Sequence, residues 1–394
     1  NLYLGGSFTS VNGQTRNRIA RMSTTGILDA TWNPNANSVV NTVALSGTDL
    51  YVGGFFTNIG GQARNRIAKL STTGTGLADG TWNPNANNEV YALAVSGTDL
   101  YVGGSFTNIG GQTRNDIAKL SSTGTGLADA TWNPNILHGA TGGVYEIVLS
   151  GTDLYVGGEF SLISGQTRTG LGKISTTGVL DGTWNPNPTR SPSGIPKIYS
   201  LAFLGTDLYV GGLFTGIGGQ SRNHLAKLST TGTGLADAIW NPNVASSVGG
   251  VYDLLASGTD VLYAGGEFLR VGGLETESFV KFGACPLGSF SPSTLPNFLV
   301  GGYCNEYMTQ TGLVGANITW SIASGSLPTG VVLNTSLGLL IGTTSAAGTF
   351  NFTLNATDGL CSISQNYTIV VSACPTITFS NTSASNAIIG ATYN

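Results

Sequence analysis

The chain has 394 residues, enough for two or more domains, and 40% of them are hydrophobic, ample for packed cores. Only 9% are charged, against about 25% in ordinary soluble domains, while Gly (59), Ser, Thr and Asn abound, a balance that suits a secreted wall or surface protein better than a cytosolic enzyme. A net charge of -4 without a basic cluster argues against nucleic acid and anionic membranes as partners, and no apolar run approaches the roughly 18 residues of a bilayer span.

In chain order, one unit returns again and again, clearest at 90–135: VYALAVSGTDLYVGGSFTNIGGQTRNDIAKLSSTGTGLADATWNPN. The tyrosine of LYVGG or its variant falls at Tyr3, Tyr51, Tyr101, Tyr155, Tyr209 and Tyr263, and the tryptophan of WNPN at Trp32, Trp82, Trp132, Trp184 and Trp240. Within the unit, VYALAVS, LYVGGSF and NDIAKLS read as strands closed by turn clusters. SGTD makes a tight hairpin and IGGQTRN supplies glycines able to take positive φ. LADATWN is expected to add a fourth, outer strand ended by proline. A four-stranded unit of this size cannot bury both faces alone, so the units must stack, and radial stacking is the propeller solution. The glycine doublet after Tyr-Val marks a bulge or a tight backbone contact in each copy. The first unit lacks the VYALAVS strand and the sixth lacks WNPN, so the two ends are expected to share a blade or to be completed from elsewhere. The opening NLYLGG has neither methionine nor a leader, which suggests a processed end or a cut from a longer chain.

The YVGGxF, GQTRNxIAKL, LxDxxWNPN and VYALAVSGTD segments resemble the bacterial delta-sixty repeat over residues 1 to about 283. The resemblance implies a β-propeller on a secreted or cell-surface protein and no known catalytic residue. From Cys285 the pattern changes, and TWSI, TFNFTL and YTIVV read as period-two strands of a small sandwich. Residues 325–358, GSLPTGVVLNTSLGLLIGTTSAAGTFNFTLNATD, look like the Ig-like family of bacterial surface proteins. ACPLGSFS at Ala284 returns as ACPTITFS at Ala373, which predicts the start of a second such domain. The expected fold is therefore all-β: an about six-bladed propeller at 1–283, an Ig-like β-sandwich at 284–373 and the first strand of a further Ig-like repeat at 374–394.

The four cysteines, Cys285, Cys304, Cys361 and Cys374, include no CxxC pair, so oxidation outside the cell is the favoured reading over a metal site. In the Ig-like arrangement that the resemblance implies, the first and last strands run parallel. Cys285 with Cys361 then fits as a disulfide, Cys304 with Cys361 is the runner-up, and connectivity stays open.

Catalytic signatures are missing: there are two histidines, His138 and His224, and no HExxH, GxSxG or P-loop pattern. The acids of the GTD hairpins, Asp49, Asp99, Asp153, Asp207 and Asp260, and those three before each tryptophan are expected in turn and cap roles. Arg16, Arg64, Arg114, Arg168 and Arg222, with Trp32, Trp82, Trp132, Trp184 and Trp240, form the sharpest functional lead, because fucose-binding propeller lectins also use Arg and Trp between blades. The stronger reading makes each Arg a clamp on loop carbonyls and each Trp a packing anchor. The loops after WNPN vary most and are expected to share one face as the default binding surface. Six sequons, at Asn317, Asn334, Asn351, Asn355, Asn366 and Asn381, are candidate glycosylation sites or a product of Asn/Thr-rich strands. No cofactor or metal is expected. The expected function is a non-enzymatic extracellular structural or adhesive component, possible partners being other copies of the chain in a fibre or surface layer, cell-surface or matrix components, or glycans; a carbohydrate-binding lectin is the alternative.

Overall fold

Short runs of Val, Ile, Leu and Tyr between Gly-, Asn- and Asp-rich turns suit pleated, half-buried surfaces, and in the computed structural model every regular element among the described residues is a strand. The structure describes residues 1–192, 194–246, 249–258, 261–276, 278–282, 288–313, 318–358 and 362–373. It divides into two compact units, Asn1–Ala284 and Cys285–Asn394.

In the first unit, six antiparallel sheets follow one another, one for each LYVGG copy or variant. Sheet 3 is representative: an inner strand Val90–Ser96, a middle strand Asp99–Gly104 and a third strand Ile117–Ser121. Sheets 2, 4, 5 and 6 repeat it, whereas sheet 1 has only the middle strand Leu2–Gly5 and the third strand Ile19–Met22. The hairpin between inner and middle strands turns through Gly97 at φ 58°, as predicted. The register slips between Val90 and Ala92, opposite Gly103 and Gly104, so the glycine doublet marks both a bulge and a close approach.

One expectation is extended and one corrected. IGGQTRN is more than a turn: Asn108–Ile109 and Gln112–Thr113 pair as a miniature hairpin around Gly110 and Gly111, both at positive φ. The outer strand over LADATWN shrinks to a single bridge, Ala128 to Leu120, repeated at Leu28, Ala78, Leu180 and Ala236. The reason is local: Asp129 Oδ1 accepts from the amides of Thr131 and Trp132, which turns the chain away from the sheet.

Inner strands of successive sheets pack on one another, and apolar clusters run between sheets, such as Tyr51, Ile67 and Trp82 with Leu100, Val102 and Phe106. The second unit is a sandwich. One sheet orders Phe298–Leu299, Ser362–Ser372, Gly348–Thr357 and Thr319–Gly325, and the other orders Tyr303–Tyr307, Leu339–Thr343 and Val331–Asn334. Trp320, Leu340, Leu354 and Ile369 fill the space between them. Phe298–Leu299 runs parallel to the last strand, as an Ig-like arrangement requires.

Candidate functional site

The Arg and Trp series lie in the frame of the propeller unit. Arg114 is buried; its Nη1 donates to Thr113 O at 2.7 Å and its Nη2 to Asp129 O at 2.5 Å, tying the miniature hairpin to the Asp-x-x-Trp turn. Arg16, Arg64, Arg168 and Arg222 clamp the equivalent carbonyls. Trp32, Trp82, Trp132 and Trp184 are buried and Trp240 is half-buried. The indoles of Trp32, Trp82 and Trp184 donate to Ser71, Ser121 and Ser229 carbonyls of the following sheet. In this frame the five Arg and four of the five Trp side chains are buried, Trp240 being half-buried.

Asp49, Asp99, Asp153 and Asp207 depart from their expected role, and Asp260 lies outside the described residues. Asp99 pairs with Lys119 at 3.4 Å and Asp129 pairs with the same amine at 3.0 Å, and Lys69, Lys173 and Lys227 are likewise shared by two aspartates. Burial alone would raise Asp79, but the hydrogen bond from Lys69 and the amides of Trp82 and Thr81 outweigh it and hold the carboxyl at about 2.

A second set of residues comes together at the start of the inner strands. Tyr91, Tyr145, Tyr199 and Tyr252, from sheets 3 to 6, form a continuous arc. Their centroids lie 5.4, 5.9 and 5.2 Å apart, and Phe55 extends the arc at 6.3 Å from Tyr91. Carboxylates orient the hydroxyls: Tyr145 Oη donates to Glu159 at 3.0 Å and Tyr252 Oη to Glu267 at 2.8 Å, while Lys197 pairs with Glu159 at 2.9 Å. The arc stands where the chain enters from the variable loops after WNPN, so loops and rings share one end of the unit. Sequence reasoning missed it, although the signal was there: Tyr follows Val or Ile at the head of four of the five inner strands.

Beside the arc, His138 Nδ1 of the ILHGATGG loop lies 2.5 Å from Asp116 Oδ2, and Asp116 is buried with Oδ1 unpaired. Burial pushes the Asp116 carboxyl up to about 6 against the pull of His138. A raised folded-state value means stability that is complete below an ordinary carboxyl's ~4 and lost as pH rises through about 6. Asp116→Asn is therefore expected to gain in thermal midpoint over the wild type between pH 4 and 7.5, as read by circular dichroism; an unchanged difference would contradict this. Glu146 is pushed up to about 8, chiefly by burial and then by the charge of Asp253, whose Oδ1 accepts from Ser200 Oγ at 3.4 Å.

A surface groove of about 540 Å³ along sheet 5, between Pro186, Thr189, Thr215, Gln220 and Leu235, has no titratable group in its walls. Among the described residues no cluster of His, Cys, Asp and Glu suits a metal. Cys304 is a free, fully buried thiol, while Cys285, Cys361 and Cys374 lie outside the described residues, as do the sequons at Asn317 and Asn381. Asn334, Asn351 and Asn366 are exposed. Asn355 is a correction to the sequon set: it is buried, with Oδ1 accepting from Ser364 Oγ at 2.8 Å, and the folded domain leaves no room there for a glycan.

The family model described as "Domain of unknown function (DUF5122) beta-propeller" matches residues 1–31, 50–76, 100–126 and 208–234, and the one described as "Putative Ig domain" matches 303–372. The chain thus carries beta-propeller repeats of the DUF5122 type in its N-terminal part, followed by an Ig-like domain. No curated protein matches it. Among solved structures, it is similar to a putative alpha-galactosidase from Bacteroides fragilis (22% identity over 22% of this chain and 17% of that one, TM-score 0.19). It is also similar to Drosophila N-cadherin EC1-3 (12% identity, 65% and 86% covered, TM-score 0.20) and to an endo-fucoidan hydrolase of glycoside hydrolase family 107 (14% identity, 73% and 39% covered, TM-score 0.19). The chain spans 17% of the length of the first two structures, both described as a putative alpha-galactosidase of Bacteroides fragilis. Superpositions this loose carry neither fold nor activity.

Proposed function

We propose that the chain is a non-enzymatic, extracellular surface protein of structural or adhesive type, whose propeller presents the tyrosine arc and adjoining loops to a cell-surface or matrix partner. The observation that carries this reading is the alignment of Tyr91, Tyr145, Tyr199 and Tyr252 ring to ring beside the longest variable loops. Tyrosines held by neighbouring rings and carboxylates offer rigid, amphipathic area at low entropic cost. The low charge, the repeat architecture and the Ig-like domain support a surface location. The lectin alternative moves to this arc, since the half-buried rings of Tyr91, Tyr145 and Tyr199 and the exposed Tyr252 beside Glu267 offer stacking faces and an acceptor for sugar hydroxyls.

The test is the double substitution Tyr145→Ala/Tyr199→Ala in the whole chain, screened on immobilised matrix proteins and a glycan array. A fall in retention by about tenfold or more at an unchanged thermal midpoint is expected. Retention on glycans alone selects the lectin reading, and binding indifferent to the substitution rejects the arc.

A further inference from the structure

The groove along sheet 5 coincides with two local departures from the repeat. Where the miniature hairpin begins, the other copies carry Ser10, Asn58, Asn108, Leu162 and Arg270, and sheet 5 alone carries glycine, Gly216. Its backbone does not call for glycine, since its φ lies outside the left-handed region. In sheets 2 and 3 a loop asparagine also stands at this place: Asn37 Oδ1 accepts from the amides of Thr57 and Asn58, and Asn87 Oδ1 from those of Thr107 and Asn108, at 2.9 and 3.0 Å in each case. In sheet 5 the Thr189 carbonyl takes over, accepting from Thr215 N at 2.8 Å and Gly216 N at 3.3 Å. Two amide side chains are thereby missing from one spot, and the groove of about 540 Å³ lies there, between the Asn185-Pro186 segment that follows sheet 4 and the hairpin of sheet 5.

The walls select the ligand. Among the described residues none that lines the groove is titratable, so a charged group would lose water without meeting a counter-charge. Asn187, Thr189, Thr215, Gln220 and Ser221 bring amides and hydroxyls, which a wholly apolar ligand would leave dry and unpaired. Asn185 Oδ1, on a wall residue, is a buried acceptor with no hydrogen-bond partner. Leu235, 62% exposed, supplies apolar surface at the same groove. An extended peptide finds no free strand edge at Gly216, because Thr189 is already bridged to it. A neutral ligand with many hydroxyls and an apolar C–H face meets all of these conditions, and the volume is that of a small-molecule site.

We propose that this groove binds a neutral oligosaccharide. One sugar hydroxyl donates to Asn185 Oδ1, others pair with Gln220 and the threonines, and a C–H face of the ring lies on Leu235. The site shares no residue with the tyrosine arc and goes beyond the partner surface assigned to it, so either can fail without the other.

The probes are cellotriose, maltotriose, xylotriose and mannotriose, with trigalacturonate as the charged control, each titrated into the whole chain by calorimetry and by saturation-transfer NMR. Saturable binding of at least one neutral trisaccharide is expected, and none of trigalacturonate. Gly216→Asn restores the residue of sheets 2 and 3; its Cβ meets the hydroxyl of the exposed Thr189 at 2.7 Å, and that hydroxyl can turn aside. This variant should bind about tenfold more weakly or worse at an unchanged thermal midpoint. Leu235→Asn, at an exposed position outside the core, should weaken binding to a similar degree and carries the test if Gly216→Asn does not fold. Tyr145→Ala/Tyr199→Ala should leave binding unchanged. The proposal is overturned if no neutral probe binds, if trigalacturonate binds as tightly, or if the groove variants bind as the wild type does. Loss of binding in the tyrosine variant would move the sugar to the arc and overturn it as well.

Discussion

Replacing Trp82 by Ala is expected to lower the stability of the propeller unit by about 3–5 kcal/mol. The indole is fully buried, meets Tyr51 edge-to-face at 5.4 Å and donates through Nε1 to Ser121 O at 2.9 Å on the neighbouring sheet. Gly126, at φ 77°, turns away to admit it; a Cβ there would come within 2.8 Å of Nε1. Truncation removes apolar contact from two sheets at once, breaks an aromatic pair and leaves the Ser121 carbonyl without its donor. Denaturant unfolding should show a lower midpoint at unchanged slope. If Trp82 served a sugar instead, the substitution would spare stability and abolish glycan binding.

Arg114→Lys should be nearly as costly as Arg114→Ala, at about 2–3 kcal/mol each. The guanidinium spans two carbonyls, Thr113 O and Asp129 O, on separate stretches of backbone, which an ammonium cannot bridge in the same geometry. Either substitution leaves buried acceptors unpaired and releases the miniature hairpin from the Asp-x-x-Trp turn. Equilibrium unfolding of the two variants side by side checks this: a lysine variant as stable as the wild type would show that charge, not the fork of donors, holds the loop.

The contrast between these substitutions and Tyr145→Ala separates frame from face. Trp82 recurs because each sheet is anchored to the next, and Arg114 because each miniature hairpin is tied to its own Asp-x-x-Trp turn. The residue after the glycine doublet, by contrast, changes from Phe55 to Ser105, Glu159, Leu213 and Glu267. That position borders the arc, and its variation gives one end of the unit an uneven chemistry on a regular scaffold.

Much of the fold was legible because repetition multiplies each local signal. Val90, Tyr101 and Ile117 sit in runs whose β-propensity and turn residues agree in each full copy, so strand order and hairpins follow from pattern alone. The outer strand failed because the Asp129 side chain competes for the backbone amides that LADATWN would have offered a ladder. The hairpin acids failed for a related reason: Lys119 lies diagonally from Asp99 across the strand pair, and an ammonium 3.4 Å away is a partner that no turn rule foresees.

By itself, then, the sequence determined the all-β class, the stacking of repeated sheets and the Ig-like domain, since these rest on periodicity and turn chemistry within about 50 residues. Only the tertiary structure decided which residues make a site. Tyr91 and Tyr145 are 54 positions apart and look like ordinary strand alternation until the bulge at each inner strand and the stacking of the sheets bring their rings to 5.4 Å.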